Sequence, residues 1–526
     1  MKAPFRRTLP LVANAIALAL ASHSGNLFAD LAPQKPNIVF ILADDLGWKD
    51  LGCYGTYSFE TPNIDRLAHQ GIRFTQAYVC PLSSPTRASL MTGMDPARLG
   101  ITLPSCHMPN VVLTPKVADT DEKHKWQKLV CPVPVTRLDT KYVSFAKILK
   151  ESGYVTAHFG KWHLGMEPYS PLQHGFDVDI PHVSVAGPGQ YNAPWTPEIA
   201  AGFKTPASPG ENLEDRLCKE ACAFIEKNKE KPFILDYWAF SVHASLNAKE
   251  EYVNKYKSIA NSYTPQRNPV YAGMVKTLDD AVGNLMLTLE KTGLAKRTIV
   301  IFLSDNGGLG YWSGGSTHKE YQGIPATSNV PLRSGKGWVY EGGVRVPLIV
   351  KWPSVVKPDT VSNALVSSMD LYPTILEMGG ARPRSEQPLD GVSIVPVLNG
   401  TKPAVRNNVF CVFPQYMHDY SQTRPCPAAS IHDGDWKLIR FFNDKPDNTD
   451  RYELYNVKDD LGEQFEMSTG MPDLTAKLSK KLDAYIANIH AVLPKLNPAY
   501  DPLAPAAPYK FQPSEPVNLP SDLDQD

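Results

Sequence analysis

Two stretches of this chain are apolar at every position rather than at alternate ones. NIVFIL, Asn37 to Leu42, and TIVIFL, Thr298 to Leu303, therefore predict strands buried on both faces, as in the middle of a parallel sheet. Between them, Val270 to Leu294 repeats apolar residues every three or four positions and ends near Gly293, which predicts a helix. A further helix is predicted over Ser144–Ser152, closed by Gly153 and followed by a strand in YVTAHFG. Strands alternating with helices predict an α/β protein: a large mixed, mostly parallel sheet sandwiched by helices, with ligands collecting beyond the carboxyl ends of its strands. From about Arg406 the pattern changes. NNVFCVF, DWKLIRFF and RYELYNV are short alternating stretches between turns, and an amphipathic helix from Leu474 to Val492 follows them. They predict a smaller C-terminal antiparallel sheet with one helix. The expected division is a leader at 1–29, an α/β domain at 30–405, an α+β subdomain at 406–510 and a loose, Pro- and Ala-rich tail at 511–526.

The leader reading rests on charge and length. Lys2, Arg6 and Arg7 precede an apolar run from Leu9 to Ala21, and small or polar residues lead on to Ala29. The run is too short to span a bilayer and has the form of an export signal, cut somewhere between Ala21 and Ala29. No later stretch reads as a membrane span, so an exported protein, periplasmic or secreted, is expected. With 53 basic against 54 acidic residues there is no single-sign field to attract nucleic acid. Oligomeric state is not legible. Export would allow the eight cysteines to oxidise. Cys106 and Cys131 bracket one hydrophilic excursion and Cys411 and Cys426 another, so each pair could staple its own loop. Cys218 and Cys222, four apart in a predicted helix, suit a buried unpaired role.

The two buried strands end in chemistry. NIVFIL runs into Ala43-Asp44-Asp45 and TIVIFL into Ser304-Asp305-Asn306. Three carboxylates and an amide carbonyl converging in one place need a cation, and an oxygen-only set selects Ca²⁺ or Mg²⁺ over zinc. Taken singly, either pair reads first as a cap on a turn or helix after its strand, and only the two together point to a cation.

Between the two lies SSPTRASLMTG, Ser83 to Gly93. Here the chain resembles the sulfatase family, of the alkaline-phosphatase-like superfamily. Ser83, Pro85, Arg87, Thr92 and Gly93 meet the spacing of its signature, with Met91 in the leucine-or-methionine slot; Cys80 fails it, because Leu82 stands where its proline should be. The resemblance implies that Ser83 is oxidised to formylglycine by a dedicated radical-type maturation enzyme, and that the hydrated aldehyde is the nucleophile beside the cation, with Arg87 holding its oxygen. GKWHLG matches the family's Lys-x-His element, which implies that Lys161 and His163 meet the sulfate and the hydrate. In DYWAFSVHASL, His243 is implied as proton donor to the leaving alcohol, although Ala244 and Ser245 replace the commoner Thr-Pro. Thr327 to Pro353 is a close match, with Lys336 as its sulfate-binding lysine, and the Leu278-Asp279-Asp280 and DLYPTILEMGG runs fit as well.

An exported sulfatase would find its esters on sulfated polysaccharides. Tyr191, Trp195, Tyr311 and Trp312 could stack on sugar rings, and His107, His174 and His318 could meet sugar hydroxyls at the rim; His174 opens a His-Gly-Phe-Asp loop found in many glycan-directed members. Two other functions share these features. A phosphomonoester or phosphonate-ester hydrolase would use the same fold with more histidine ligands, and a non-catalytic binder of sulfated glycans would keep Ser83 unconverted.

Overall fold

The computed structural model describes residues 1, 35–310, 315–417 and 426–504. Residues 2–29 of the expected leader, Tyr311, Trp312 and the tail from 511 lie outside them. Among the described residues from Pro36 onward the chain builds a nine-stranded sheet, a four-stranded sheet and a two-stranded pairing of Leu129–Val130 with Lys495–Leu496.

The strands of the large sheet are β1 Asn37–Ala43, β2 Ile72–Tyr78, β3 Val155–Gly160, β4 Val178–Ile180, β5 Phe233–Trp238, β6 Thr298–Ser304, β7 Arg345–Lys351, β8 Thr360–Ser362 and β9 Val366–Ser367. Their order is β9-β2-β7-β6-β1-β5-β3-β4, with β8 also on β2. Every pairing is parallel except those of β7, which runs antiparallel to β2 and β6. The sheet is therefore mixed and mostly parallel, as the two apolar runs predict. β1 and β6 are buried at every residue because helices cover both faces. Val39, Ile41, Val300 and Phe302 pack under helices Leu213–Lys227 and Pro269–Lys291. Ile38, Phe40, Ile299 and Ile301 pack under Ser83–Thr92, Phe145–Glu151 and Ser368–Met378. The predicted helix over 144–152 starts at a Ser144 cap, whose side chain accepts from the Lys147 amide.

The small sheet, β10 Asn408–Phe413, β11 Ala428–Asp433, β12 Trp436–Phe441 and β13 Arg451–Asn456, is an antiparallel meander backed by the helix Pro472–Asn488. Leu478, Leu482 and Ile486 on that helix pack against Ile431, Leu438 and Leu454 of the sheet. β11 was not among the elements read from sequence. The cysteine expectation needs correcting: Cys106 points its thiol at the Val135 carbonyl, 4.0 Å away, and the Cys411 thiol meets Cys80 rather than Cys426.

Candidate active site

The in-register pair Ala43–Ser304 of β1 and β6 brings the two strand ends side by side. Asp44, Asp45, Asp305 and Asn306 thus lie together beyond the carboxyl ends of two central strands, all buried. Asp45 takes a left-handed φ of 63°, and its amide donates to Asp305 Oδ1 at 3.2 Å. Asn306 Nδ2 donates to Asp45 Oδ1 at 2.8 Å. The two pairs form one cluster.

Ser83 opens the helix Ser83–Thr92, which is buried along its whole length and has no side-chain cap at Leu82. Unclaimed amides and the helix dipole make that end favourable to negative charge. Ser83 Oγ lies 3.1 Å from Asp44 Oδ1 and 3.3 Å from Asn306 Oδ1, and Lys161 Nζ donates to it at 3.3 Å. Arg87, one turn on and so on the same helix face, donates through Nε and Nη2 to Asp305 Oδ2 at 3.0 and 2.8 Å. Its Nη1 donates to the Lys161 carbonyl at 2.5 Å, and its guanidinium rests on the Trp238 ring, 5.3 Å from the centroid.

Lys161 follows Gly160 at the end of β3. Gly160 has φ 110°, and a Cβ there would stand 2.0 Å from the Trp238 carbonyl oxygen; that oxygen accepts from the Lys161 amide at 2.7 Å. Only glycine fits so close a turn. It aims Lys161 Nζ at Asp44 Oδ2, 2.6 Å away. Lys336 Nζ lies 2.7 and 2.8 Å from the two oxygens of Asp45.

Three carboxylates therefore face three fixed cations, Lys161, Lys336 and Arg87. The balance is uneven. Burial, then the neighbouring Asp305 carboxylate, pushes the Asp44 carboxyl far up. Burial pushes Asp45 up too, but Lys336, His243 and Lys161 outweigh it and hold its carboxyl below the ordinary range. A hard dication suits this oxygen set: it would relieve the crowding at Asp44 and leave the site positive toward an anionic ester. Ligand atoms of Asp44, Asp45 and His243 lie within 4.8 Å of one another.

His243 Nδ1 meets the Ala244 carbonyl at 2.6 Å, and its Nε2 stands 3.7 Å from Asp45 Oδ2. Burial and then Lys336 lower its pKa to about 3. Sequence reasoning missed the residues that hold this loop. Glu214 accepts from the Ser241 amide at 2.8 Å and the Tyr237 hydroxyl at 2.9 Å. Tyr191 donates its hydroxyl to the Phe240 carbonyl at 2.6 Å. Tyr191 is thus a buried brace and not a stacking platform, and Trp195 is buried behind it, donating to the Tyr191 carbonyl at 3.0 Å. The bracing by Glu214 and Tyr191 has no local sequence signal, because their partners on this loop are tens of residues away.

His163, with φ 56°, is buried beside the helix Ser83–Thr92, where Ser84 Oγ donates to its carbonyl at 2.8 Å. His107 is partly buried, and its Nδ1 meets His163 Nε2 at 2.9 Å. His174 is also corrected: it is 2% exposed, its Nε2 bonds to the Leu138 carbonyl at 3.1 Å and its ring packs on Trp162. No substrate could reach it. His318 is tied to Glu250 at 3.0 Å.

Fold and site together define a hydrolytic centre for anionic esters: one hydroxyl at a helix start, set among balanced carboxylates and cations beyond parallel strand ends. A sulfatase family model matches residues 36–381, and a model described as N-sulphoglucosamine sulphohydrolase, C-terminal, matches 334–488. N-acetylgalactosamine-6-sulfatase of Canis lupus familiaris is 35% identical over 404 residues, covering 73% of this chain and 70% of its own. A sulfatase of Formosa agariphila is 31% identical and covers 88% of this chain and 90% of its own. The solved structure of Ps i-CgsB in complex with k-i-k-neocarrahexaose aligns with a TM-score of 0.67 at 29% identity, over 86% of this chain and 93% of that one. The chain belongs to the sulfatase family, and it is an enzyme that hydrolyses sulfate esters.

Proposed function

We propose that the protein is an exported, serine-type, formylglycine-dependent sulfatase acting on sulfated carbohydrates, chiefly oligosaccharides released from polysaccharides. One observation carries the nucleophile assignment: the Ser83 hydroxyl sits at a buried helix start within 3.1 to 3.3 Å of Asp44, Asn306 and Lys161. The relatives support the substrate class, since one is named for a sulfated amino sugar and one was solved with a neocarrahexaose. Export rests on the basic head and short apolar run of the leader.

Asp44, Asp45, Asp305 and Asn306, with the oxygen of position 83, would hold Ca²⁺ or, less suited to a carboxylate-rich set, Mg²⁺. Such an ion withdraws charge from a sulfate oxygen and favours the deprotonated nucleophile. Formylglycine, once hydrated, offers two hydroxyls on one carbon, so that one can attack sulfur and the other can later re-form the aldehyde and expel sulfate. The remaining work falls to side chains. Arg87, clamped by Asp305 and the Lys161 carbonyl, keeps its charge at the nucleophile. Lys161 and Lys336 supply positive charge for the sulfuryl group as its oxygens gain charge. His243 donates Nδ1–H to Ala244, so its second proton must sit on Nε2, where Asp45 favours it. Burial and Lys336 keep the resting ring neutral, so the Nε2 proton that His243 gives the departing oxygen is taken up with the anionic ester bound. His163 takes the proton from the residual hydroxyl in the second half-reaction.

The test is direct. In active protein the peptide carrying Ser83 should weigh about 2 Da less than its serine form, because conversion removes two hydrogens. Ser83→Ala should cut turnover of aryl and sugar sulfates by at least roughly 10³-fold without moving the thermal midpoint. An unaltered mass in active enzyme, or an active Ser83→Ala protein, would refute the assignment.

A further inference from the structure

Beside the nucleophile helix, two histidines close on a single carbonyl. His163 Nε2 lies 2.9 Å from His107 Nδ1 and 3.1 Å from the Pro104 carbonyl oxygen, and the same carbonyl serves His107. The two rings are tilted by 43° with centroids 5.1 Å apart. His163 Nδ1 is buried and has no hydrogen-bond partner.

The loop that carries His107 is itself held. One guanidinium, Arg137, donates through Nη1 to the Cys106 carbonyl at 3.2 Å and through Nη2 to the Met108 carbonyl, so the backbone is gripped on both sides of His107. Ser184 Oγ adds a bond to the Cys106 carbonyl at 3.3 Å.

A neutral imidazole has one ring proton, and its position decides which nitrogen can act as a base. On Nε2 of His163 the proton finds the Pro104 carbonyl and, with the His107 proton on its own Nε2, the His107 Nδ1 lone pair. In the serine form described here, a proton on Nδ1 would be a buried donor with no acceptor among the described residues, while the Nε2 lone pair would point at a carbonyl oxygen. The second arrangement is the costlier one, because an unmet buried donor keeps its whole desolvation penalty. We propose that His107 is a positioning residue: by accepting from Nε2–H it locks His163 in the tautomer whose free Nδ1 is the base for the group at position 83. This rests on the formylglycine reading of Ser83. His107 acts only through His163, so it needs no contact with substrate.

The test uses full-length matured protein labelled with ¹⁵N at histidine. In the wild type, His163 Nδ1 should give an unprotonated, pyridine-type shift and Nε2 a protonated, pyrrole-type shift, assigned by their loss in His163→Gln. His107→Leu should mix or reverse the two and lower kcat about 10- to 100-fold with KM within about twofold. His107→Asn, whose Oδ1 can accept from Nε2–H, should restore most of kcat and the wild-type shifts. Aldehyde content and thermal midpoint of each variant separate these effects from faulty maturation or folding. A protonated Nδ1 in the wild type overturns the proposal. So does a His107→Leu enzyme with raised KM and intact kcat, which would make His107 a substrate contact. If the wild type hydrolyses no sulfate ester, the formylglycine reading falls, while the shifts still decide the tautomer.

Discussion

His174 shows how one residue's surroundings decide its meaning. In the chain it opens a loop of the kind that meets substrate, yet its ring is packed on Trp162 and bonded to the Leu138 carbonyl. Burial pushes its pKa down to about 4, against the smaller opposing effect of that carbonyl. The folded protein therefore keeps this ring neutral to about pH 4, whereas the unfolded chain protonates it below about pH 6.5. Across that window the unfolded state binds more protons, so the group's contribution is full above about 6.5 and is lost as the pH falls toward 4, by about 3 kcal/mol. His174→Gln, whose amide can still donate to Leu138, should be less stable at neutral pH but lose less stability on acidification. Urea midpoints followed from about pH 7.5 to about pH 4.5 measure this; an unchanged acid slope would count against a neutral buried ring.

At the scale of elements, the candidate site depends on how strands end. β1 and β6 are held in register over seven residues, from Asn37–Thr298 to Ala43–Ser304, so the donors that follow them arrive together. β3 ends instead in Gly160, whose positive φ and contact with the Trp238 carbonyl turn Lys161 under Arg87 toward Asp44. Gly160→Ala meets both the strained φ and that backbone oxygen, and should cost about 3 kcal/mol. Because the strain is relieved by moving Lys161, kcat should fall by more than the stability loss explains at temperatures where the variant is folded. A folded Gly160→Ala enzyme with wild-type kcat would show that the turn can be made another way.

At the scale of the molecule, the small sheet grips the large domain through a buried ionic knot. Lys437 of β12 lies 2.9 Å from both Glu341 Oε1 and Glu463 Oε1. Glu341 also pairs with Arg345 and accepts from the Tyr78 hydroxyl, and its amide donates to Glu463. Glu341 stands five residues after Lys336, so the knot anchors the segment that delivers that lysine to Asp45. Lys437→Met would leave two buried carboxylates with too little countercharge and should destabilise by about 3–5 kcal/mol. Adding Glu463→Gln should recover part of this, since one uncompensated charge is removed. Denaturant unfolding of the single and double variants checks both, and full additivity would mean that the two residues are not coupled.

The continuous apolar runs already determined two buried strands with oxygen donors at their ends, and short local motifs carried the resemblance to the sulfatase family that singled out Ser83, Lys161, His163, His243 and Lys336. Those are properties of neighbours along the chain, and so are readable from it. Only the tertiary structure decided that β1 and β6 lie side by side, that Lys161 takes Asp44 and Lys336 takes Asp45, and that β7 runs against its neighbours. It also decided that His174, Tyr191 and Trp195 are interior, that Cys411 meets Cys80, and that His107 faces His163. Each depends on residues far apart in sequence, whose meeting is fixed by packing and by the need to satisfy buried charges and hydrogen bonds rather than by any local pattern.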